Sequence, residues 1–246
     1  MKFLFLIFLL NSFLFSSNLK DMNVISKIPE ASGICFNKKT NTLFVANDEG
    51  SIYEIDKNGN ILRNKYIGDY DLEGISCNND LLYFAVEGKD NVLIVNTNSF
   101  SIKNEISIKR KFKGIKILKK DKKHGLEGII LNNDKIFLSN QSYKKYPKKD
   151  SSVIIQVNNN IYKKKLKIKK IINHHHFDIA GLTIHSGKLY MVSDNENLLI
   201  IYDIKKSKII EEIKIPSFSQ EGVTFDDENH IYFADDNGYV IKGKIL

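Results

Sequence analysis

One short phrase returns five times along the chain and limits what it can fold into. It reads Glu30-Ala31-Ser32-Gly33-Ile34, Asp71-Leu72-Glu73-Gly74-Ile75, Gly125-Leu126-Glu127-Gly128-Ile129, Asp178-Ile179-Ala180-Gly181-Leu182 and Ser219-Gln220-Glu221-Gly222-Val223. The glycines stand 41, 54, 53 and 41 residues apart. A self-similar period of this size marks an array of one supersecondary unit.

Each phrase opens a run of short alternating segments separated by turn residues. After Gly33 come the turn Asn37 to Asn41, a strand over Thr42 to Asn47 and a polar loop at Asp48-Glu49-Gly50. A second alternating segment, Ser51 to Asp56, reaches the hairpin signal Lys57-Asn58-Gly59-Asn60, and Ile61 to Ile67 closes the unit. The later units repeat this order. In the third, the middle loop swells to Asn140 through Asp150, and the fourth strand falls within Ile161 to Ile172. The fifth unit stops after three strands, and Met22 to Ile28 is a strand-like stretch with no partner before it. Completing the last unit with the first strand leaves no open edge, which is the closure of a β-propeller. The direct count is five four-stranded blades in one all-β domain over residues 22–246. A sixth blade would have to hide in the long third unit or in Phe112 to Asp121.

Residues 1–17 have another character. Lys2 precedes the apolar run Phe3 to Leu10, and Ser16-Ser17 follow Phe13 to Phe15. One positive charge, a short apolar run and small residues predict a secretory signal peptide; an uncleaved membrane anchor is the alternative, because Phe15 fits a cleavage site poorly. The expected location is therefore a periplasm, or the inner membrane if the segment is retained. Cys35 and Cys77 are the only cysteines. They lie two and three residues after their repeat glycines, which predicts opposite strand faces and two buried free thiols rather than a disulfide.

Much of the net charge of +8 is compositional, since lysine is abundant throughout the chain; the sharpest basic stretches are 109–123, 144–149 and 163–170. These runs carry too few interleaved aromatics for a nucleic-acid stacking platform, so no nucleic-acid partner is expected. A solvated face, or attachment to an anionic envelope polymer or lipid, fits them better.

The repeated phrases, together with the second strand Leu43 to Glu49, resemble the SdiA-regulated (YjiK-like) family of exported or membrane-tethered bacterial β-propellers. The resemblance covers Ile28 to Leu246 and implies a small propeller with calcium as its ion and no settled reaction. Ala180 departs from the polar residue common at its position in that family, and the Lys-rich third unit is unusual for it.

In a propeller, the loop before each innermost strand shares a face with the loop between second and third strands. One mouth therefore collects Glu30, Ser32, Asp71, Glu73, Glu127, Asp178 and Glu221. To these it adds Asn47, Asp48, Glu49, Glu87, Asn140, Gln141, Asp194, Asn195, Asp235, Asp236 and Asn237. Carboxylates converging on one axis repel unless cations or protons intervene, and an all-oxygen set suits Ca²⁺. Glu73, Glu127 and Glu221 are the expected metal ligands. The expected mouth and ligand-binding residues are Glu30, Ser32, Asp48, Asp71, Glu87, Asn140, Asp178, Asp194 and Asp235. Purely structural use of these acids is the competing reading.

The leading expectation is a non-catalytic envelope protein that binds a divalent cation and, over it, a small molecule or protein. A calcium-dependent hydrolase of lactones or of phosphate or carboxylic esters is the rival, with a base from His174, His175 or His176. His124 also falls near the mouth, whereas His185 and His230 fall in turns on the opposite face. No organic cofactor motif is present.

Overall fold

The structure, a computed structural model, describes residues 19–119 and 125–245. The predicted signal segment and His124 lie outside them. The described residues form strands and loops with no helix.

The first strand, β1 (Leu19–Lys27), is set aside for closure. Blade I consists of β2 (Ala31–Asn37), β3 (Thr42–Asn47), β4 (Ser51–Ile55) and β5 (Ile61–Tyr66). Blade II consists of β6 (Leu72–Asn78), β7 (Leu81–Val86), β8 (Asn91–Asn96) and β9 (Ile102–Ile108). A two-stranded ribbon follows, β10 (Lys111–Phe112) against β11 (Ile115–Lys116), and among the described residues of 112–119 it is the only strand pairing where a sixth blade would have to hide. Blade III contains β12 (Leu126–Asn132), β13 (Lys135–Asn140) and β14 (Val153–Asn158). Next come β15 (Lys165–Leu166), which leaves for blade II, and β16 (Lys170–Ile172), which completes blade III. Blade IV is β17 (Ile179–His185), β18 (Lys188–Ser193), β19 (Leu198–Asp203) and β20 (Lys208–Lys214). Blade V is β21 (Gln220–Phe225), β22 (His230–Asp235) and β23 (Tyr239–Ile245), with β1 antiparallel to β23 as its outermost strand.

The sheets are therefore the five expected, with one addition. The chain after β14 crosses back so that β15 runs parallel to β9 and makes blade II five-stranded. The alternation Lys165-Leu166-Lys167-Ile168 explains the docking, because Leu166 and Ile168 are buried while the two lysines stay exposed.

No single centre holds the core. Each gap between neighbouring blades carries its own apolar cluster, such as Phe44 and Ala46 against Leu72 and Phe84 between blades I and II. The others lie between II and III, III and IV, IV and V, and V and I. At the axis the innermost strands leave no space for side chains. A Cβ on Gly33 would stand 2.9 Å from the Gly74 Cα, one on Gly74 would stand 2.8 Å from that of Gly128, and one on Gly222 would stand 2.9 Å from that of Gly33. This close approach is why the phrase keeps its glycine.

The cysteines correct the sequence reading. Cys35 and Cys77 are joined, with Cα atoms 5.7 Å apart across 42 residues. The two side chains do lie on opposite faces of their own sheets, and that is what lets them meet. The gap between two blades is lined by the forward face of one sheet and the rear face of the next. Two residues past the glycine points forward, as Ser76 does when its hydroxyl accepts from Leu131 N–H of blade III at 3.1 Å. Three residues past the glycine points back. A one-residue offset between neighbouring blades is what brings the two sulfurs together.

Candidate functional site

Each innermost strand is irregular at its mouth end. In blade II the pairing steps from Leu72 with Val86 to Ile75 with Phe84, so that Glu73 and Gly74 together face Ala85. The same one-residue excess occurs at Ser32, Glu127, Ala180 and Glu221. A bulge re-aims the side chain it carries. Five bulges around one axis gather the residues that precede the glycines.

A second ring lies on this one. Asp48, Glu87, Gln141, Asp194 and Asp236 each follow the last residue of a second strand. In four blades the N–H at this position donates to the carbonyl two residues before the bulge. The pairs are Asp48 to Glu30 at 3.4 Å, Glu87 to Asp71 at 3.1 Å, Gln141 to Gly125 at 2.9 Å and Asp236 to Ser219 at 2.9 Å. The two rings enclose a cavity of about 180 Å³ lined by Ser32, Asp48, Glu73, Glu87, Glu127, Gln141, Glu221 and Asp236. Six of these eight are carboxylic acids, and none is Lys, Arg or His.

The chemistry is that of crowded negative charge. Burial first, then Glu221, Asp71 and Glu87, drive the Glu73 carboxyl well above the usual range. Glu127 is raised by burial and by Glu73, Glu221 and Glu87; Glu221 is raised by burial and by Asp194, Asp236, Asp178 and Asp235. Asp48 is pushed up to about 7 by burial and by Glu30, which lies within hydrogen-bonding reach. Asp194 and Asp236 are raised for the same two reasons, burial and nearby acids. Oxygens of Asp71, Glu73 and Glu87 lie within 4.8 Å of one another, close enough for one cation to touch all three. Asp48 Oδ1 is buried with no hydrogen-bond partner. The donor set is all oxygen, so these residues fit a hard divalent cation.

The other expected residues divide by role. The Ser32 hydroxyl donates to the Leu72 carbonyl at 2.5 Å, linking blade I to blade II while lining the cavity. Glu30 is exposed at the rim. Asn140 is turned away: its Nδ2 donates to the Ser151 carbonyl at 2.8 Å and anchors the long blade III loop. Asp235 accepts from Asn237 N–H at 3.0 Å and caps its own turn. Asp178 accepts from Asn195 N–H at 3.2 Å and is reached by the Tyr143 hydroxyl. Tyr143 belongs to the swollen loop and stands over the acids Asp178, Asp194 and Glu221. No repeat position marks it, which is why sequence reasoning misses it.

None of His174, His175 and His176 lines the cavity. His174 is buried, its Nδ1 accepts from His176 N–H at 3.2 Å, and burial lowers its pKa to about 3, so it is neutral. His175 is exposed. His176 is held between Glu196, at 2.8 Å, and Glu212 of the outermost strand β20, at 3.1 Å. His185 and His230 lie at the far ends of their strands, as expected.

Fold and site together define a closed five-bladed propeller with an acidic axial mouth. The chain belongs to the SdiA-regulated family, whose model matches residues 14–237. No curated protein matches the chain significantly. Among solved structures, glutaminyl cyclase of Myxococcus xanthus is similar, with a TM-score of 0.67, 9% identity, and coverage of 92% of this chain and 94% of that one. The β-propeller domain of Cps50 (Swd1) of Myceliophteria thermophila is also similar, with a TM-score of 0.52, 9% identity, and coverage of 93% and 99%. At such identity the likeness extends to the fold.

Proposed function

We propose that the protein is an exported cell-envelope propeller that holds one divalent cation, calcium, in its axial cavity and presents that ion to a ligand or partner. The observation that carries this reading is the cavity lining, which among the described residues holds six carboxylic acids and no cationic side chain. Glu73, Glu127 and Glu221 are the proposed ligands. Glu87, Asp48 and the Gln141 amide stand close enough to complete an irregular oxygen set, which calcium accepts more readily than magnesium. Such an ion would supply positive charge to a ligand oxygen arriving at the mouth. The Cys35–Cys77 disulfide supports an oxidising compartment, in keeping with export.

A metal-dependent hydrolase on the same ion draws less support, since among the described residues no imidazole lines the cavity to act as base. The likeness to a glutaminyl cyclase is one of fold and names no substrate for this chain.

The test is thermal unfolding of residues 20–246 in EDTA and then with Ca²⁺ or Mg²⁺. A ligand of the folded state alone stabilises by about 2.7 kcal/mol at a hundredfold excess over its dissociation constant. The Glu73→Gln, Glu127→Gln variant should melt higher than wild type in EDTA, because repulsion is relieved, and should lose the calcium-dependent rise. No shift of the wild type with any divalent ion would make the acids structural. A variant less stable than wild type in EDTA would say the same.

A further inference from the structure

The structure holds a second polar groove, of opposite sign, beside the acidic mouth. It measures about 520 Å³ and is lined by Lys89, Ser107, Ile108, Lys109, Arg110, Lys111 and Lys165. Three parts of the chain build it: the β7–β8 loop of blade II, the end of β9 running into β10, and the crossing strand β15. The parallel pairing of Lys165 with Ser107 and Leu166 with Ile108 delivers Lys165 to the groove from another blade. This lysine is there because the chain makes its detour, and the detour is fixed by burial of Leu166 and Ile168.

Arg110 is the organised element. Its Nε donates to Asp90, whose carboxylate is 2% exposed. Among the described residues nothing accepts from the two η nitrogens, so the guanidinium is oriented by a buried anion and keeps two donors for a ligand. Lys109, Lys111 and Lys165 have no ion-pair partner among the described residues. Lys89 stands 4.5 Å over the Tyr70 ring rather than against an acid. Asp90 is thus the carboxylate that answers the cluster, and it is committed to Arg110. An oriented guanidinium fork with several point charges around it matches an oxyanion with more than one oxygen to offer.

We propose that this groove binds phosphate ester groups. Ser107 adds a hydroxyl, and the lysines supply the charge that a dianion or a row of monoanions requires. The site is independent of the cation reading, although one loop serves both: Glu87 lines the acidic cavity, and Lys89, two residues on, lines the groove. The phosphate can come from a phospholipid headgroup or from a soluble phosphoester, and binding experiments separate the two.

The experiment uses residues 20–246 in EDTA, so that no metal at the mouth can hold phosphate. Titration with pyrophosphate probes the free anion. Co-sedimentation with phosphatidylcholine vesicles, with and without phosphatidylglycerol, probes the headgroup. The Lys109→Gln, Lys111→Gln, Lys165→Gln variant should bind less tightly, by about fivefold for each lost cation. The Arg110→Lys variant keeps the charge and should still weaken binding, because it loses the fork. Removing three exposed lysines from blade IV (Lys205→Gln, Lys206→Gln, Lys208→Gln) should change little. Pyrophosphate binding alone assigns a soluble phosphoester, and vesicle binding alone assigns a headgroup. If wild type binds neither probe, or the blade IV variant loses as much affinity as the groove variant, the proposal fails.

Discussion

Gly74 has no room for a methyl group: a Cβ would stand 2.5 Å from the Glu127 carbonyl oxygen and 2.8 Å from the Gly128 Cα. Both are backbone atoms of the next blade, which cannot give way without opening the ring. Gly187 is the useful contrast. Its φ is +73°, but nothing lies within 4 Å of a Cβ there. Gly74→Ala should therefore cost about 3 kcal/mol through overpacking, against about 1 kcal/mol for Gly187→Ala, where only the left-handed backbone objects. Denaturant midpoints of the two variants check the ranking. The same crowding explains the residue before each glycine. With no side chain at the axis itself, Glu73, Glu127 and Glu221 are the first groups to meet above it. Sequence spacing marked these three as equivalent, and the structure gathers them around one cavity.

Among the elements, β2 and β6 are joined across the gap between blades I and II. The Cys35–Cys77 bond closes 42 residues of chain, which corresponds to about 4 kcal/mol in the chain-entropy account. Cys35→Ser should lower the melting midpoint by roughly 10 °C, and reducing agent should lower wild type to a similar value while leaving the variant unchanged. Equal midpoints for oxidised and reduced wild type would rule out the stabilising role. The detour of β15 onto β9 is the other feature of this scale. Its lysines read as a solvated run, because the alternating Leu166 and Ile168 reveal a half-buried strand without saying which sheet receives it.

At the scale of the whole molecule, five blades bring to one axis more acids than any single blade carries. The metal-free protein should lose stability as pH rises. The Asp48 pKa moves from the ordinary 3.8 to about 7 on folding, and Glu73, Glu127 and Glu221 are raised well above 4.5. Between those limits the folded state binds more protons than the unfolded one, so stability falls across the window. His174 acts with the opposite sign. Its pKa drops from 6.5 to about 3, which favours the folded state increasingly as pH rises between those values. Several raised acids outweigh one histidine, and the melting midpoint in EDTA should fall from pH 5 to pH 7. Calcium should flatten or reverse that fall by taking the place of the protons. A midpoint in EDTA that rises over the same range would show that the mouth acids are not under strain.

Apart from β15 and the β10–β11 ribbon, the strand order, the blade number, closure by the N-terminal strand and the acidic character of the mouth were legible in the sequence. Each depends on local periodicity, turn residues and a repeat, which act within a sheet. The disulfide, the bulges that turn Glu73, Glu127 and Glu221 inward, Tyr143 over the mouth, and the Arg110–Asp90 pair with Lys165 beside it were decided only by tertiary structure. These depend on how the face of one sheet meets the face of the next, or on where a long loop comes to rest. Alternation within a strand tells which residues share a face, but it does not say what lies across the gap.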